Sequence, residues 1–471
     1  MNRKARYARA MQCVVLAWAT FAGAEENPQQ KLDRQFQSAV AKYDAGQFEE
    51  AAAQLEQLLP HVPRNFEVQE LLGMVYASMS EDAKAVEHLQ AAVRLNPDSA
   101  AARTNLAASL SRMGRTQPAG EEFRKALALT PQEYGVNHNL GEFYVQSGKI
   151  AEGRPYLERA QRINPSAYDN GYDLAMADLM TGQRGEARLE VQRLLQVKDT
   201  GELHDLLGQI EEKDGKFVAA ANEFETSAHM DPTEDHLFDW GSELLLHRTY
   251  EPAIQVFQAA AQRYPSSPRV MIGLGMALYA RGLYEDAVNA LLKAADLSPT
   301  EPRCYLFLSK AYDSSPKQAE EVIQRFQRYA QLEPNNALAQ YYYAMSLWKG
   351  RRSGGENLDL GEVESLLKRS VALNGANADV HLQLGNLYAD QRKFAESIPE
   401  YERALALNPN LPDAHYRLGS DYVHLGDKER AKVEFATYQK LRAEHMAEVD
   451  KERADVQQFI VNSKAVPSTK P

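Results

Sequence analysis

Two side chains in the first third of the chain have the types and the spacing for acid–base chemistry. His138 and Glu142 are four residues apart, which places them one turn apart on the same face of a helix. An imidazole and a carboxylate in that arrangement could exchange a proton near neutral pH. The pair is the candidate for an enzymatic or carbohydrate-binding site, although such pairs are also common on exposed helices without activity.

Other motifs for catalysis or cofactor binding are absent from the sequence. It contains no H-E-x-x-H, no G-x-S-x-G, no C-x-x-C and no dinucleotide-binding glycine run. The eleven histidines are scattered, whereas a metal site needs several ligands that converge. We therefore expect no enzyme, no metal and no cofactor. Cys304 lies in an apolar helical stretch, where a buried, unreactive thiol is expected.

The overall charge restricts the partners. The formal net charge of −12 argues against a nucleic-acid-binding protein, because neutralising phosphates requires an excess of Lys and Arg. The same charge favours protein partners with basic segments.

The first 24 residues have the pattern of an export signal. Arg3, Lys4, Arg6 and Arg9 precede a short apolar run, and AGA at 22–24 is a small-x-small cleavage site. The apolar run is nearer twelve residues than the roughly 20 that a membrane span requires. We therefore predict cleavage after Ala24, no stable membrane span thereafter, and a periplasmic or secreted location.

A proline recurs along the chain at nearly constant spacing. The steps are 33–35 residues, apart from two double steps in which Asp199 and Gly375 replace the proline, and the prolines are Pro63, Pro97, Pro131, Pro165, Pro232, Pro265, Pro299, Pro334 and Pro409. A period near 34 indicates a stacked array of repeats.

Each repeat has the pattern of two helices. In residues 66–97, one apolar stripe at helical spacing includes Leu72 and Tyr76, and a second includes Leu89 and Val93. In several repeats a glycine separates the stripes and is expected to end the first helix in the left-handed conformation: Gly114, Gly148, Gly182, Gly215, Gly282 and Gly426. Small residues recur once in each helix, as in Gly73 and Ala85, where the two axes are expected to approach closely.

These positions resemble the tetratricopeptide repeat (TPR) family. The family pattern is matched by Leu72, Gly73, Tyr76, Ala85, Leu89, Ala92 and Pro97, and it recurs about twelve times. The resemblance implies an all-α fold, a right-handed α–α superhelix of helix-turn-helix units. Departures include Asp178 at a tyrosine position and an insert at 350–360, which we expect to be a flexible loop.

The predicted organisation follows from these assignments. A signal peptide (1–24) and a linker (25–31) precede the repeats at 32–443. A helix at 444–462 is expected to cap the stack with a polar face, and a disordered tail at 463–471 follows it.

The resemblance also implies a partner-binding groove on the concave face, formed by the first helices. Asn105 and Asn139 fall at one repeat position, and Asp173 continues the row, which is similar to the asparagine ladder of O-GlcNAc transferase repeats. Chance polar residues facing solvent would give the same pattern. The groove candidates are Asn105, His138, Asn139, Glu142, Tyr172, Asp173, Arg303, Lys310, Tyr341, Tyr342, Asn386 and Arg417.

The leading hypothesis is an exported, non-enzymatic scaffold that binds a protein or peptide in this groove. The alternative is an enzymatic or carbohydrate-binding accessory protein with a site near His138 and Glu142. Self-association through the terminal repeats is left open, because the sequence does not decide it.

Overall fold

The structure is a computed structural model that describes residues 27–315, 317–354 and 360–444. Within these ranges the chain forms twenty-four α-helices, one short 3-10 helix and no β-strand. The predicted all-α fold class is therefore confirmed. The chain divides into two compact units, an N-terminal unit that ends at Gly182 and a C-terminal unit that begins at Gln183.

The N-terminal unit contains four helical hairpins and one further first helix. Odd numbers denote the first helix of a hairpin and even numbers the second. The helices are α1 (Pro28–Asp44), α2 (Phe48–Leu58), α3 (Phe66–Ser78), α4 (Asp82–Leu95), α5 (Ala100–Arg112), α6 (Thr116–Leu129), α7 (Tyr134–Gln146), α8 (Ile150–Ile163) and α9 (Tyr168–Met180), with the 3-10 helix at Leu59–His61.

The C-terminal unit begins with a second helix and continues with seven hairpins. Its helices are α10 (Arg184–Leu195), α11 (Gly201–Lys213), α12 (Phe217–Met230), α13 (Glu234–Leu246), α14 (Tyr250–Arg263), α15 (Pro268–Arg281), α16 (Tyr284–Leu297), α17 (Pro302–Ser314), α18 (Ala319–Leu332), α19 (Ala337–Gly354), α20 (Leu360–Leu373), α21 (Ala378–Asp390), α22 (Phe394–Leu407), α23 (Pro412–His424) and α24 (428–444).

Where the structure describes the turn inside a hairpin, that turn contains a residue in the predicted left-handed conformation. All six predicted glycines have φ between 73° and 87°, a region that glycine enters without steric cost. In four other hairpins a residue with a side chain adopts φ near 60°: Ser80, Arg248, Gln318 and Arg392. The geometry of the turn is thus set by the hairpin, and glycine is only its least strained occupant.

The close approach of the two helices occurs at the predicted small residues. A Cβ atom added to Gly73 would lie 2.4 Å from Leu89 Cγ, and one added to Gly385 would lie 2.6 Å from Tyr401 Cε1. Leu89 and Tyr401 are fully buried in the second helices. A side chain on the first helix would therefore displace the core residue that joins the two helices.

In seven first helices, the side chain four positions before the small residue at the close approach forms a hydrogen bond to the turn between hairpins. Each of these bonds the carbonyl oxygen of the residue six positions earlier, at the recurring proline or its replacement Gly375, over 2.8–3.4 Å: Gln69, Arg103, Asn137, Tyr305, Gln340, His381 and His415. Several of these side chains also contact a polar side chain of the second helix 19 residues later, for example His415 with Glu434 at 2.5 Å. The proline thus ends the hairpin with a carbonyl group that the next first helix binds.

The predicted linker and the predicted insert differ from the sequence-based expectation, and other predicted segments lie outside the described residues. Helix α1 begins at Pro28, within the predicted linker 25–31, because Asn27 caps it by accepting the Gln29 N–H. The insert predicted as a loop begins as helix, since α19 runs through Gly354, and Gly350 leaves space for Ile323. Residues 355–359, the predicted signal at 1–24, and the capping helix and tail beyond residue 444 lie outside the described residues.

Candidate functional site

The first helices of successive hairpins share a surface that the hairpin core does not use. We define this first-helix surface as the side chains three and two positions before the small residue, and one and four positions after it. Two contacts join such side chains across successive hairpins: Tyr279 with Phe307, whose ring centroids are 6.5 Å apart, and His138 with Asp173, 3.9 Å apart. In each unit the surface therefore extends over more than one hairpin.

In the N-terminal unit the surface contains a polar cluster around His138. The imidazole stacks on Tyr134 with ring centroids 5.6 Å apart. Its Nδ1 lies 3.1 Å from Asn170 Oδ1 and 3.9 Å from Asp173 Oδ2, both on the next first helix. Burial raises the pKa of the Asp173 carboxyl, with Glu142 and Asp169 acting in the same direction and His138 opposing them.

In the structure the two residues proposed for acid–base chemistry have separate hydrogen-bond partners. The Glu142 carboxylate accepts a hydrogen bond from Gln146 at 2.9 Å, whereas the Nδ1 of His138 faces Asn170 and Asp173. The contacts of His138 with Asn170 and Asp173 therefore link two successive hairpins. Asn105, Asn139 and Tyr172 are partly buried on the same surface.

In the C-terminal unit three carboxylates gather around one guanidinium. Arg269 contacts Asp235 and lies 3.4 Å from Asp239, and its guanidinium lies over the Phe238 ring at 3.8 Å. Burial raises the pKa of Asp239 to about 6, and the neighbouring Asp205 contributes to that shift. Burial also raises the pKa of Asp205.

One oxygen of this group lacks a partner. Asp205 accepts from Gln209 at 2.8 Å through Oδ2. Its Oδ1 is buried and accepts no hydrogen bond from any residue in the described part of the chain. A buried carboxylate oxygen without a donor is costly, and burial accordingly raises the pKa of Asp205. Protonation, a donor or a cation would each relieve this cost.

Beside this acidic group the surface becomes apolar and aromatic. Met276 and Tyr279 on α15, Phe307 on α17 and Tyr341 on α19 are all partly buried and pack against the core of the C-terminal unit. Burial raises the pKa values of Tyr279 and Tyr341. The nearby charge of Asp313 contributes to both shifts in the same direction.

The remaining sequence-predicted residues have different surroundings. Arg303 is exposed and paired with Glu301 at 2.8 Å, and Lys310 Nζ lies 5.6 Å from the centroid of the Phe307 ring. Tyr342 is buried in the core, with 7% of its surface exposed, so its ring is not an accessible anchor. Asn386 accepts from the Tyr401 hydroxyl at 2.9 Å, and Arg417 is exposed on α23.

Several residues of the surface were missed by the sequence analysis. Asp239 and Phe307 fall two positions before the small residue, in the same row as Asn105 and Asn139, so continuing that row would have found them. Asn170 and Arg269 could not have been found in this way, because they lie at other positions and contact the surface only across hairpins.

No cluster of metal-binding side chains occurs among the described residues. Cys304 is fully buried and burial raises the pKa of its thiol to about 12, as expected for an unreactive thiol. None of the helices within the described ranges is long and apolar enough to cross a bilayer.

Comparisons with known proteins agree with this architecture. One sequence model of the tetratricopeptide repeat matches residues 36–100, 79–134 and 238–302, and two further models of the repeat match 134–166 and 385–426. Together these matches cover about half of the chain. The chain belongs to the tetratricopeptide repeat family.

Similar individual proteins are more distant. The human protein O-mannosyl-transferase TMTC1 is 24% identical over 163 residues, which are 34% of this chain and 18% of that protein. The chain thus spans less than a fifth of that relative's length.

Two solved structures are also similar to parts of the chain. Pseudomonas aeruginosa PilF is 20% identical, with 43% of this chain and 93% of that chain covered and a TM-score of 0.39. A tetratricopeptide repeat protein from Parabacteroides merdae is 16% identical, with 53% and 99% covered and a TM-score of 0.42.

Membership of this family has a direct functional consequence. Tetratricopeptide repeat proteins bind protein partners, and their stacked hairpins are generally non-catalytic. The chain is therefore a protein-interaction scaffold.

Proposed function

We propose that the scaffold binds an extended partner segment along its first-helix surface, which would be the groove expected from the sequence. The supporting observation is the contrast between the two faces of a first helix. One face contains the small residue that contacts the second helix, and the other presents partly buried side chains that differ from repeat to repeat. Variable side chains on a repeated framework are suited to recognising one partner.

An enzymatic or carbohydrate-binding role near His138 and Glu142 has less support. His138 is held by Tyr134 and Asn170, and Glu142 accepts from Gln146. This arrangement explains both side chains as part of a polar packing contact, with no reacting atom required.

Site-specific photo-crosslinking tests the location of binding. A photoreactive amino acid at Asn139 or Tyr279 would lie on the first-helix surface, whereas one at Leu189, which is 69% exposed on a second helix, would not. We expect protein adducts in the native extract from the first two positions and not from Leu189. Adducts from Leu189 alone, or from none of the three positions, would contradict the proposal.

We further propose that the chain is exported and loses residues 1–24. This proposal is supported by the basic, apolar and small-residue segments in succession at the N-terminus. N-terminal sequencing of the purified native protein should begin at Glu25. A native chain that begins at or near Met1 and fractionates with the cytoplasm would contradict export.

A further inference from the structure

The C-terminal unit has aromatic side chains at surface positions where the fold does not require them. In α5 the four positions of the first-helix surface carry small or polar residues, yet α5 forms the same hairpin. In α15, α17 and α19 most of the corresponding positions carry large apolar residues, apart from Gly273, Lys310 and Asp313. The four positions are occupied in α5 by Thr104, Asn105, Ala108 and Ser111, and the partly buried large residues in the later helices are Met276, Tyr279, Leu306, Phe307 and Tyr341. Ile272, Met345 and Trp348 occupy the same set of positions but are buried in the core.

This comparison within one chain separates packing from recognition. Because α5 folds with threonine and alanine at these positions, the rings of Tyr279 and Phe307 are not needed to close a hairpin. Aromatic side chains supply a large contact area at a low cost in conformational entropy and are enriched where partners bind. The apolar part of the first-helix surface is thus suited to a large apolar side chain of a partner.

The charges beside this apolar part indicate what else the partner carries. Asp205, Asp235 and Asp239 are three carboxylates, and Arg269 is the cation that contacts two of them. The Oδ1 of Asp205 is buried and has no donor among the described residues. The group therefore has an excess of negative charge in a partly buried place, where the attraction for a cation is stronger than in water.

Arg269 shows how this surface holds a basic side chain. Its guanidinium lies against the Phe238 ring and between two carboxylates, which combines a cation–π contact with charge-assisted hydrogen bonds. Asp205 offers a further carboxylate on the preceding first helix, near Arg269 and His236, and it forms no ion pair within the part of the chain that the structure describes.

We propose that the C-terminal unit binds a partner segment in which a basic side chain lies close to a large apolar one. The basic group contacts Asp205 and Asp239, and the apolar side chain lies on Met276, Tyr279 and Phe307. The proposal rests on the proposed function, because it assigns the partner's chemistry to part of the first-helix surface.

The probe for this test is a phage-displayed library of random twelve-residue peptides, selected on the full chain at low salt. We expect the selected peptides to combine Lys or Arg with Phe, Trp, Leu or Met. A selected peptide, made synthetically, should then bind D205N/D239N at least about tenfold more weakly than the unchanged protein. Added salt should weaken binding to the unchanged protein more than binding to D205N/D239N.

A matched control changes the same number of charges elsewhere. Glu320 and Glu321 are exposed on the second helix α18, so E320Q/E321Q should bind the peptide as the unchanged protein does. The apolar part is tested with Tyr279→Ala and with Met276→Gln, which keeps the side-chain volume. Each should weaken binding about fivefold or more, and thermal melting should show that both variants are folded.

The outcomes separate this inference from the proposed function. Selected peptides without basic residues, or equal affinity for D205N/D239N, would overturn the assignment to Asp205 and Asp239. If the peptides crosslink at Asn139 and are unaffected by changes in the C-terminal unit, the inference fails while the first-helix surface remains the binding surface. If no peptide is enriched and no position crosslinks, both proposals fail.

Discussion

At the scale of single residues, different residue types at one repeat position form the same hydrogen bond to the turn between hairpins. The side chain four positions before the small residue is Gln69, Asn137, Tyr305 or His415 in different hairpins, and each bonds the carbonyl at the preceding turn. Buried carbonyl groups need a donor, and any side chain of suitable length can supply it. The sequence alone does not reveal this position, because the residue type varies while the hydrogen bond is kept.

His204 occupies this position and gives it a dependence on pH. Its Nδ1 lies 2.6 Å from Glu223 and its Nε2 lies 2.9 Å from Asp199. The hydrogen bond with Glu223 is the largest cause of a raised pKa, with Asp199 contributing and burial opposing. Because the pKa is raised in the folded state, this stabilisation is fully present below the unfolded value of 6.5 and is lost as the pH rises through the folded value.

We therefore expect His204→Gln to lower the free energy of unfolding at pH 5.5, because the contacts of the imidazolium with Glu223 and Asp199 are lost. The effect should be only about 1 kcal/mol, because solvent screens the exposed Asp199. Glutamine occurs at the same repeat position as Gln69 and keeps a hydrogen-bonding group. The difference should shrink towards pH 9, as measured by denaturant melts across this range. His229→Gln, at a residue 70% exposed, is the control. A difference for His204→Gln that is constant or grows with pH would contradict the assignment.

At the scale of the elements, the hairpin depends on a single close approach. Gly275 in α15 lies against Leu291 of α16, and an added Cβ would lie 2.4 Å from Leu291 Cγ. Leu291 is fully buried, so its Cγ can move aside only by a χ1 rotation into neighbouring core side chains or by a shift of the helix. A small residue therefore recurs along the sequence because the axes of the two helices approach closely at that position.

Gly275→Ala should destabilise the C-terminal unit by about 1–3 kcal/mol, as is typical when a methyl group is forced into a packed core. Gly185→Ala is the matched control, because nothing lies within 4 Å of its added Cβ and alanine favours a helix by up to about 1 kcal/mol. Thermal and denaturant unfolding of both variants would measure the difference. Equal effects of the two substitutions would show that close approach is not the cause.

At the scale of the whole molecule, stability is distributed over hairpins that contact their neighbours. Each unit has its own buried residues, such as Leu72 and Leu140 in the N-terminal unit and Phe257 and Tyr305 in the C-terminal unit. In such arrays a whole repeat can be removed while the interfaces between its neighbours are rebuilt. Half of a repeat cannot, because one apolar helix face would lose its partner.

Deleting residues 98–131 joins Pro97 to Gln132 and restores the junction that Pro131 makes in the unchanged chain. We expect this variant to remain helical by circular dichroism, with a melting temperature lower by several degrees. Deleting residues 98–114 alone should cause loss of cooperative unfolding or aggregation. If both deletions behave alike, the hairpin is not the folding module.

The sequence by itself determined the helical hairpins, their number and their buried faces, because apolar periodicity, proline and glycine act over a few residues. It also placed Asn139 and Asp173 in one surface row. Only the tertiary structure decided which side chains meet across hairpins, such as His138 with Asn170 and Arg269 with Asp239. These partners are about 30 residues apart, and no local preference in the chain specifies them. Their meeting depends on how one hairpin is rotated against the next.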